Sequence, residues 1–157
     1  FKDGFHGDCA GTYPCGRISE EAERLIEVTR QRFFEGLKYA REGRRLPELC
    51  GAIQRYAEGA GCSVVREYEG HGIGRKMHAE PGGPNYVEPR MGRPRLLRGM
   101  TIAVEPMVNA GGAGIVVMPD GWTVKTADGK LSAHYENTIL ITDGEPELLT
   151  DPEARAE

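Results

Sequence analysis

Three features of this 157-residue chain predict an α+β fold. Apolar residues recur at helical spacing across the first third. Short apolar and β-branched runs fill the remainder. Gly, Asp and Pro clusters punctuate those runs and read as turns. Two helices followed by antiparallel β structure is the resulting pattern.

The elements follow in order. Residues 1–13 read as β structure, opening on a hairpin with Asp3-Gly4 as the turn between Phe1 and Phe5. Cys15-Gly16 closes it. Ser19 is placed as an N-cap, with Glu20, Glu21 and Glu23 in the first turn, where carboxylates complement the helix dipole. Ala22, Leu25, Ile26, Phe33, Leu37 and Ala40 then predict a helix over 20–41, ended by Gly43. Pro47 suits the first turn of a second helix ending at 59–61, with Leu49, Ile53, Tyr56, Ala57 and Ala60 on its apolar face. Strands are predicted at 64–68, 100–108, 114–118, 122–126, 133–142 and 147–149, and a Gly/Pro-rich loop at 81–94.

Composition narrows the function classes. The chain is 39% apolar and 28% charged with a formal charge of −4, normal for one globular domain. No Lys/Arg block stands out, which argues against nucleic acid as a main partner. No apolar run approaches a membrane span, and no signal peptide precedes the first motif. Cys9, Cys15, Cys50 and Cys62 form no CxxC pair and no zinc-finger spacing, so reduced thiols in a cytosolic protein are expected. Residue 1 is Phe, and the chain reads as cut from a longer protein.

Three segments place a metal-capable side chain in an apolar, strand-like setting: GHGIGRKMHAEP with His71, GMTIAVEPMV with Glu105, and SAHYENTILIT with Glu136. An ionised carboxylate costs several kcal/mol to bury unless paired or bound to a cation. Taken singly, each residue has an ordinary reading: His71 as a satisfied core histidine, Glu105 as a solvated strand end, Asp8 as a turn residue. Pro106 removes a backbone donor after Glu105, marking a strand end or bulge. His78 lies seven residues after His71, and a turn at Gly74-Arg75-Lys76 would let both face one cavity. Asp8, His71, Glu105 and Glu136 together are an oxygen-rich set that suits Mn, Fe, Co or Zn, and their carboxylates could bridge two cations.

At these residues the chain resembles the type I methionine aminopeptidases of the pita-bread fold. The likeness is carried by KDGFHGD, SVVREYEGHGIGRKMHAEP, GMTIAVEPMVNAG, DGWTVKTADGKLSAHYENT and ELLT, in that order. It implies the C-terminal portion of a pita-bread fold, an antiparallel sheet with helices packed on one face, with 1–157 forming a single N-terminally truncated catalytic-domain fragment. It implies metal-dependent removal of the N-terminal methionine by hydrolysis of the first peptide bond, with two divalent metal ions (Co, Mn, Fe or Zn). Asp8 and Glu136 would bridge both metals, His71 would ligate one, and Glu105 would ligate and act as the acid/base. His78 would bind the scissile peptide, and Met77 and Trp122 would line the methionine pocket.

The substrates implied are N-terminal methionyl peptides of nascent chains, with the ribosome as a further partner, in a cytoplasmic enzyme monomeric when intact. A relative cleaving before proline, and a non-catalytic scaffold binding peptides, ribosomes or RNA, are the alternatives. The second is weighed against by the retained ligands. Asn137 stands where many members have His, and Met77 where an aromatic residue is frequent. A further Asp ligand and a substrate-binding histidine would precede Phe1, so the 157 residues alone are expected to be poorly active or inactive.

Overall fold

A computed structural model describes residues 1–151. A short strand β1 (Cys9–Gly11) leads into helices α1 (Glu20–Leu37) and α2 (Leu46–Gly59). Strands follow: β2 (Ser63–Val64), β3 (Glu69–Gly72), β4 (Ala79–Pro84), β5 (Thr101–Val104), β6 (Met107–Asn109), β7 (Ile115–Val117), β8 (Val124–Thr126), β9 (Ser132–Leu140) and β10 (Glu147–Leu148). The predicted α+β class and the antiparallel pairing are both present.

Ser19 caps α1, its hydroxyl accepting from the Ala22 amide at 3.2 Å. The helix stops at Leu37, short of the expected 41. There the Tyr39 and Ala40 amides turn back onto the Gly36 and Leu37 carbonyls, and Glu42 and Gly43 donate to Thr142 and Leu96 instead. Pairing with the sheet side of the molecule therefore outcompetes one more helical turn. In α2, the Glu48 carboxylate accepts from the Arg45 amide at 2.7 Å, satisfying a donor that the helix start leaves open.

The main sheet runs β2-β6-β9-β5-β3-β4, with β1 and β10 also paired to β9, while β7 and β8 form a separate hairpin. Two expectations need correction. The strand expected at 64–68 is reduced to Ser63–Val64, where β2 joins one edge beside β6, while β3 starts only at Glu69 and lies between β4 and β5. The loop expected at 81–94 begins as strand: β4 takes Ala79–Pro84, and as an edge strand it tolerates Pro81, whose missing amide breaks no interior ladder.

Side-chain alternation gives the sheet two unlike faces. Ile102, Val104, Ile139 and Ile141 pack with Phe33, Leu37, Leu46, Leu49 and Ile53 of the helices into the main core. Their odd–even neighbours point the other way and build the site.

Candidate metal centre

The centre is organised by β9. His134, Glu136 and Thr138 alternate onto one face, opposite the helix-packed face that carries Ile139. On the neighbouring strands, Val104 pairs with Asn137 and Met107 with His134. That continuous register leaves Glu105 directly across from Glu136. Pro106 only interrupts the ladder; its carbonyl still accepts from the Tyr135 amide. One strand further, His71 pairs with Ala103 and so shares the face. The small Ala103 side chain leaves room in the middle of it.

Local devices hold the donors in place. Gly70 and Gly72 flank His71 because the backbones crowd there: a Cβ on Gly70 would run into the Ala103 carbonyl, and one on Gly72 into the Glu80 carbonyl. Asp8 is fixed by Thr138, whose hydroxyl accepts from the Asp8 amide at 3.0 Å and donates to the Asp8 carbonyl at 2.9 Å. Thr12 clamps His134 in the same way, at 3.0 and 2.9 Å. Asn85 donates to the Glu105 carbonyl at 3.2 Å.

Residues scattered over the chain thereby converge. His71 Nε2 lies 3.8 Å from Asp8 Oδ2 and 3.5 Å from Glu105 Oε1. His71 Nδ1 is 3.0 Å from the Gly72 carbonyl. A carbonyl only accepts, so the contact is a hydrogen bond when Nδ1 carries the proton, which leaves the Nε2 lone pair facing the carboxylates. This is how a second hydrogen bond commonly orients a metal-binding histidine. Two donor groups emerge, each with its ligand atoms within 4.8 Å of one another: Asp8, His71 and Glu136, and Glu105, His134 and Glu136. Glu136 belongs to both.

Electrostatics make the cluster costly without a cation. Burial, then the charge of Asp8, pushes Glu105 up to about 7. Burial, then Glu105 and Asp8, pushes Glu136 up to about 8. Burial lowers His134, favouring the neutral ring that can act as a ligand. Glu136 Oε1 and His134 Nε2 are buried and have no hydrogen-bond partner among the described residues. Like charges directly opposed across two strands are destabilising, and a divalent cation would remove that cost and satisfy the orphaned atoms. The donor set fits a bound metal.

His71 and His78 also line a cleft of about 620 Å³ together with Tyr68, Glu69, Lys76 and Glu105. The two rings meet edge to face, 4.3 Å between centroids. The turn at 74–76 thus brings both histidines to one cavity. Met77 is half-buried and Trp122 is 87% exposed in the turn before β8. Neither lines that cleft. Asn137 faces away from the donors, its Oδ1 accepting from the Thr150 hydroxyl at 2.8 Å. His134 was not singled out as a functional residue from the sequence, although its two-residue spacing from Glu136 on a strand puts both on one face. All four cysteines are free, and no described helix is long and apolar enough to cross a membrane.

An antiparallel sheet face gathering carboxylates and imidazoles beside an open cleft is the architecture of a metallohydrolase centre. The comparisons narrow the class: residues 1–143 match the model of metallopeptidase family M24, and the chain belongs to that family. It is 53% identical over 148 residues to a methionine aminopeptidase of Clostridium perfringens, and 49% identical over 148 residues to methionine aminopeptidase 1 of Bacillus subtilis. Those matches cover 94% of this chain but 59% of each enzyme, so the chain spans about three fifths of the relatives' length. The crystal structure of methionine aminopeptidase from Thermotoga maritima superposes with a TM-score of 0.90 at 44% identity, covering 95% of this chain and 59% of that one. A prolidase from Pyrococcus furiosus shares the fold, with a TM-score of 0.71 at 20% identity over 95% of this chain and 38% of that one.

Proposed function

We propose that this chain carries the metal-binding portion of a methionine aminopeptidase, removing the N-terminal methionine by hydrolysis of the first peptide bond. The observation that carries the reading is Glu105 lying opposite Glu136, with Asp8 and His71 converging on the same sheet face. Identity near 50% to methionine aminopeptidases supports this substrate class over the proline-directed relatives, which share the fold at about 20% identity. Retention of the four donors argues against a non-catalytic scaffold.

Asp8, His71, Glu105 and Glu136 would hold two divalent cations, with Co, Mn, Fe and Zn all compatible with mixed carboxylate and imidazole ligands. When bound, such cations polarise a carbonyl and lower the pKa of water toward neutrality. The protein groups do the rest. Glu105, on the cleft wall with its carboxylate 3.5 Å from His71 Nε2, is suited to take a proton from attacking water and return it to the leaving amine. His78, on the cleft wall beside His71, is placed to hydrogen-bond the scissile peptide and the oxyanion that develops from it. Met77 and Trp122 lie outside that cleft, so their proposed role against the methionine side chain rests on the sequence resemblance alone. N-terminal methionyl peptides of nascent chains are the substrates, met in the cytoplasm at the ribosome by an intact monomer.

Hydrolysis of Met-Ala-Ser and of an Xaa-Pro peptide, with Mn²⁺ or Co²⁺, tests the reading. Two proteins are compared: the 157-residue chain, and the same chain joined to the rest of the Clostridium perfringens enzyme. The joined protein is expected to cleave Met-Ala-Ser and spare the Xaa-Pro peptide, and the chain alone to turn over far more slowly. Cleavage of the proline peptide, or no metal-dependent turnover by the joined protein, would overturn it.

A further inference from the structure

We propose that His134 is itself a metal ligand, its Nε2 completing a site with Glu105 and Glu136. This rests on the metal-centre reading above and adds a second nitrogen donor to it. Three observations converge.

The first is placement. His134 and Glu136 are two residues apart on β9 and emerge on the face that carries Glu105 and His71. The Thr12 hydroxyl grips both the amide and the carbonyl of His134, so the strand holds it at fixed depth.

The second is an unmet need. His134 Nε2 is buried and finds no hydrogen-bond partner among the described residues, and neither does Glu136 Oε1. His134 Nε2 lies 3.8 Å from Glu136 Oε2, too far for a hydrogen bond. A histidine serving only to orient Glu136 would close that gap. Two donors facing one another at this distance suit an atom between them.

The third is symmetry of composition. Bonds of about 2.0–2.2 Å put two donors of one cation at most about 4.4 Å apart. The Glu105, His134 and Glu136 donors lie within 4.8 Å of one another, as do those of Asp8, His71 and Glu136. Small side-chain rotations would bring either triad to bonding distance. Each triad contains one imidazole, and Glu136 is common to both. An imidazole on both sides shifts preference toward borderline metals such as Zn²⁺ and Co²⁺ and away from Mg²⁺ or Ca²⁺.

The experiment labels the histidines of the 157-residue chain with ¹⁵N and records long-range ¹H–¹⁵N spectra during a Zn²⁺ titration, with calorimetry in parallel. The chain has four histidines: His6, His71, His78 and His134. His71→Gln and His134→Gln variants assign the signals. At saturation the His71 and His134 rings should both show a metal-bound Nε2, while His6 and His78 do not. His134→Gln should leave one metal-bound ring and weaken Zn²⁺ binding by more than the roughly 10–100-fold typical of losing a partner that only orients a ligand. A saturated wild-type spectrum with His71 metal-bound and His134 unchanged would overturn the His134 assignment while leaving the metal centre standing, and it needs no variant to fold. No Zn²⁺ binding at all, by either method, would overturn the metal-centre reading and this proposal with it.

Discussion

Glu136 concentrates the chemistry of the site in one side chain. It is 5% exposed, faces Glu105 across two strands, and its carboxyl is pushed up to about 8 by burial and by the neighbouring carboxylates. In metal-free protein this has a definite sign. The folded chain holds the Glu136 proton more tightly than the unfolded chain does, whose pKa stays near 4.5. The resulting stability is complete below that value and is lost as pH rises through the folded pKa. Urea unfolding in chelator should therefore show the wild type losing roughly 3–4 kcal/mol relative to Glu136→Gln between pH 5 and pH 8. A difference that stays flat, or grows in favour of the wild type, would contradict it. Glu105 and Glu136 are legible in the sequence because each sits in an apolar run, and His71 because glycines flank it. His134 is not: a polar residue next to the start of a strand looks ordinary until the register sets it across from Met107 and beside Glu105.

Among the elements, α1 shows what periodicity conveys and what it hides. Of the residues at helical spacing, Leu25, Phe33, Leu37 and Ala40 are buried, while Ala22 and Ile26 are half-buried. Arg32 is not part of that pattern, yet it is fully buried on the same helix, with none of its three guanidinium nitrogens hydrogen-bonded among the described residues. Burial lowers its pKa to about 9, only partly offset by the neighbouring Cys62, as expected for a cation held out of water. A charge in that position stabilises nothing by itself, and replacing buried charges by apolar residues of similar volume is often stabilising by about 1–4 kcal/mol. Arg32→Met should accordingly raise the urea midpoint with an unchanged slope. A lower midpoint would show that the guanidinium contributes more than its stem. Among the strands, apolar and β-branched runs mark β5 and β9. The division of 64–72 between β2 and β3, on different parts of the sheet, depends on pairing partners tens of residues away and leaves no local trace.

Over the whole molecule, the two faces of the sheet do different work. One is sealed by α1 and α2 through an apolar core. The other gathers donors from the opening segment, β3, the β5–β6 junction and β9. A cation on that face links segments more than a hundred residues apart in sequence, such as Asp8 and Glu136. In an unfolded chain those donors are dispersed, so binding is coupled to folding and adds RT ln(1 + [M]/Kd) to stability. With free Zn²⁺ at a hundred times Kd, the gain is about 2.7 kcal/mol. For a domain of this size that corresponds to a rise in Tm of roughly 5–10 °C. The rise should grow with metal concentration and vanish in EDTA. It should be nearly absent in Glu136→Gln, because both donor groups lose their shared member, and only reduced in His71→Gln, which keeps Glu105, His134 and Glu136 together. Calorimetric melting of the three proteins with and without Zn²⁺ separates these outcomes. Equal shifts in all three would mean that the metal binds elsewhere, and the sheet face would then be a cluster of acids with no cation to hold it.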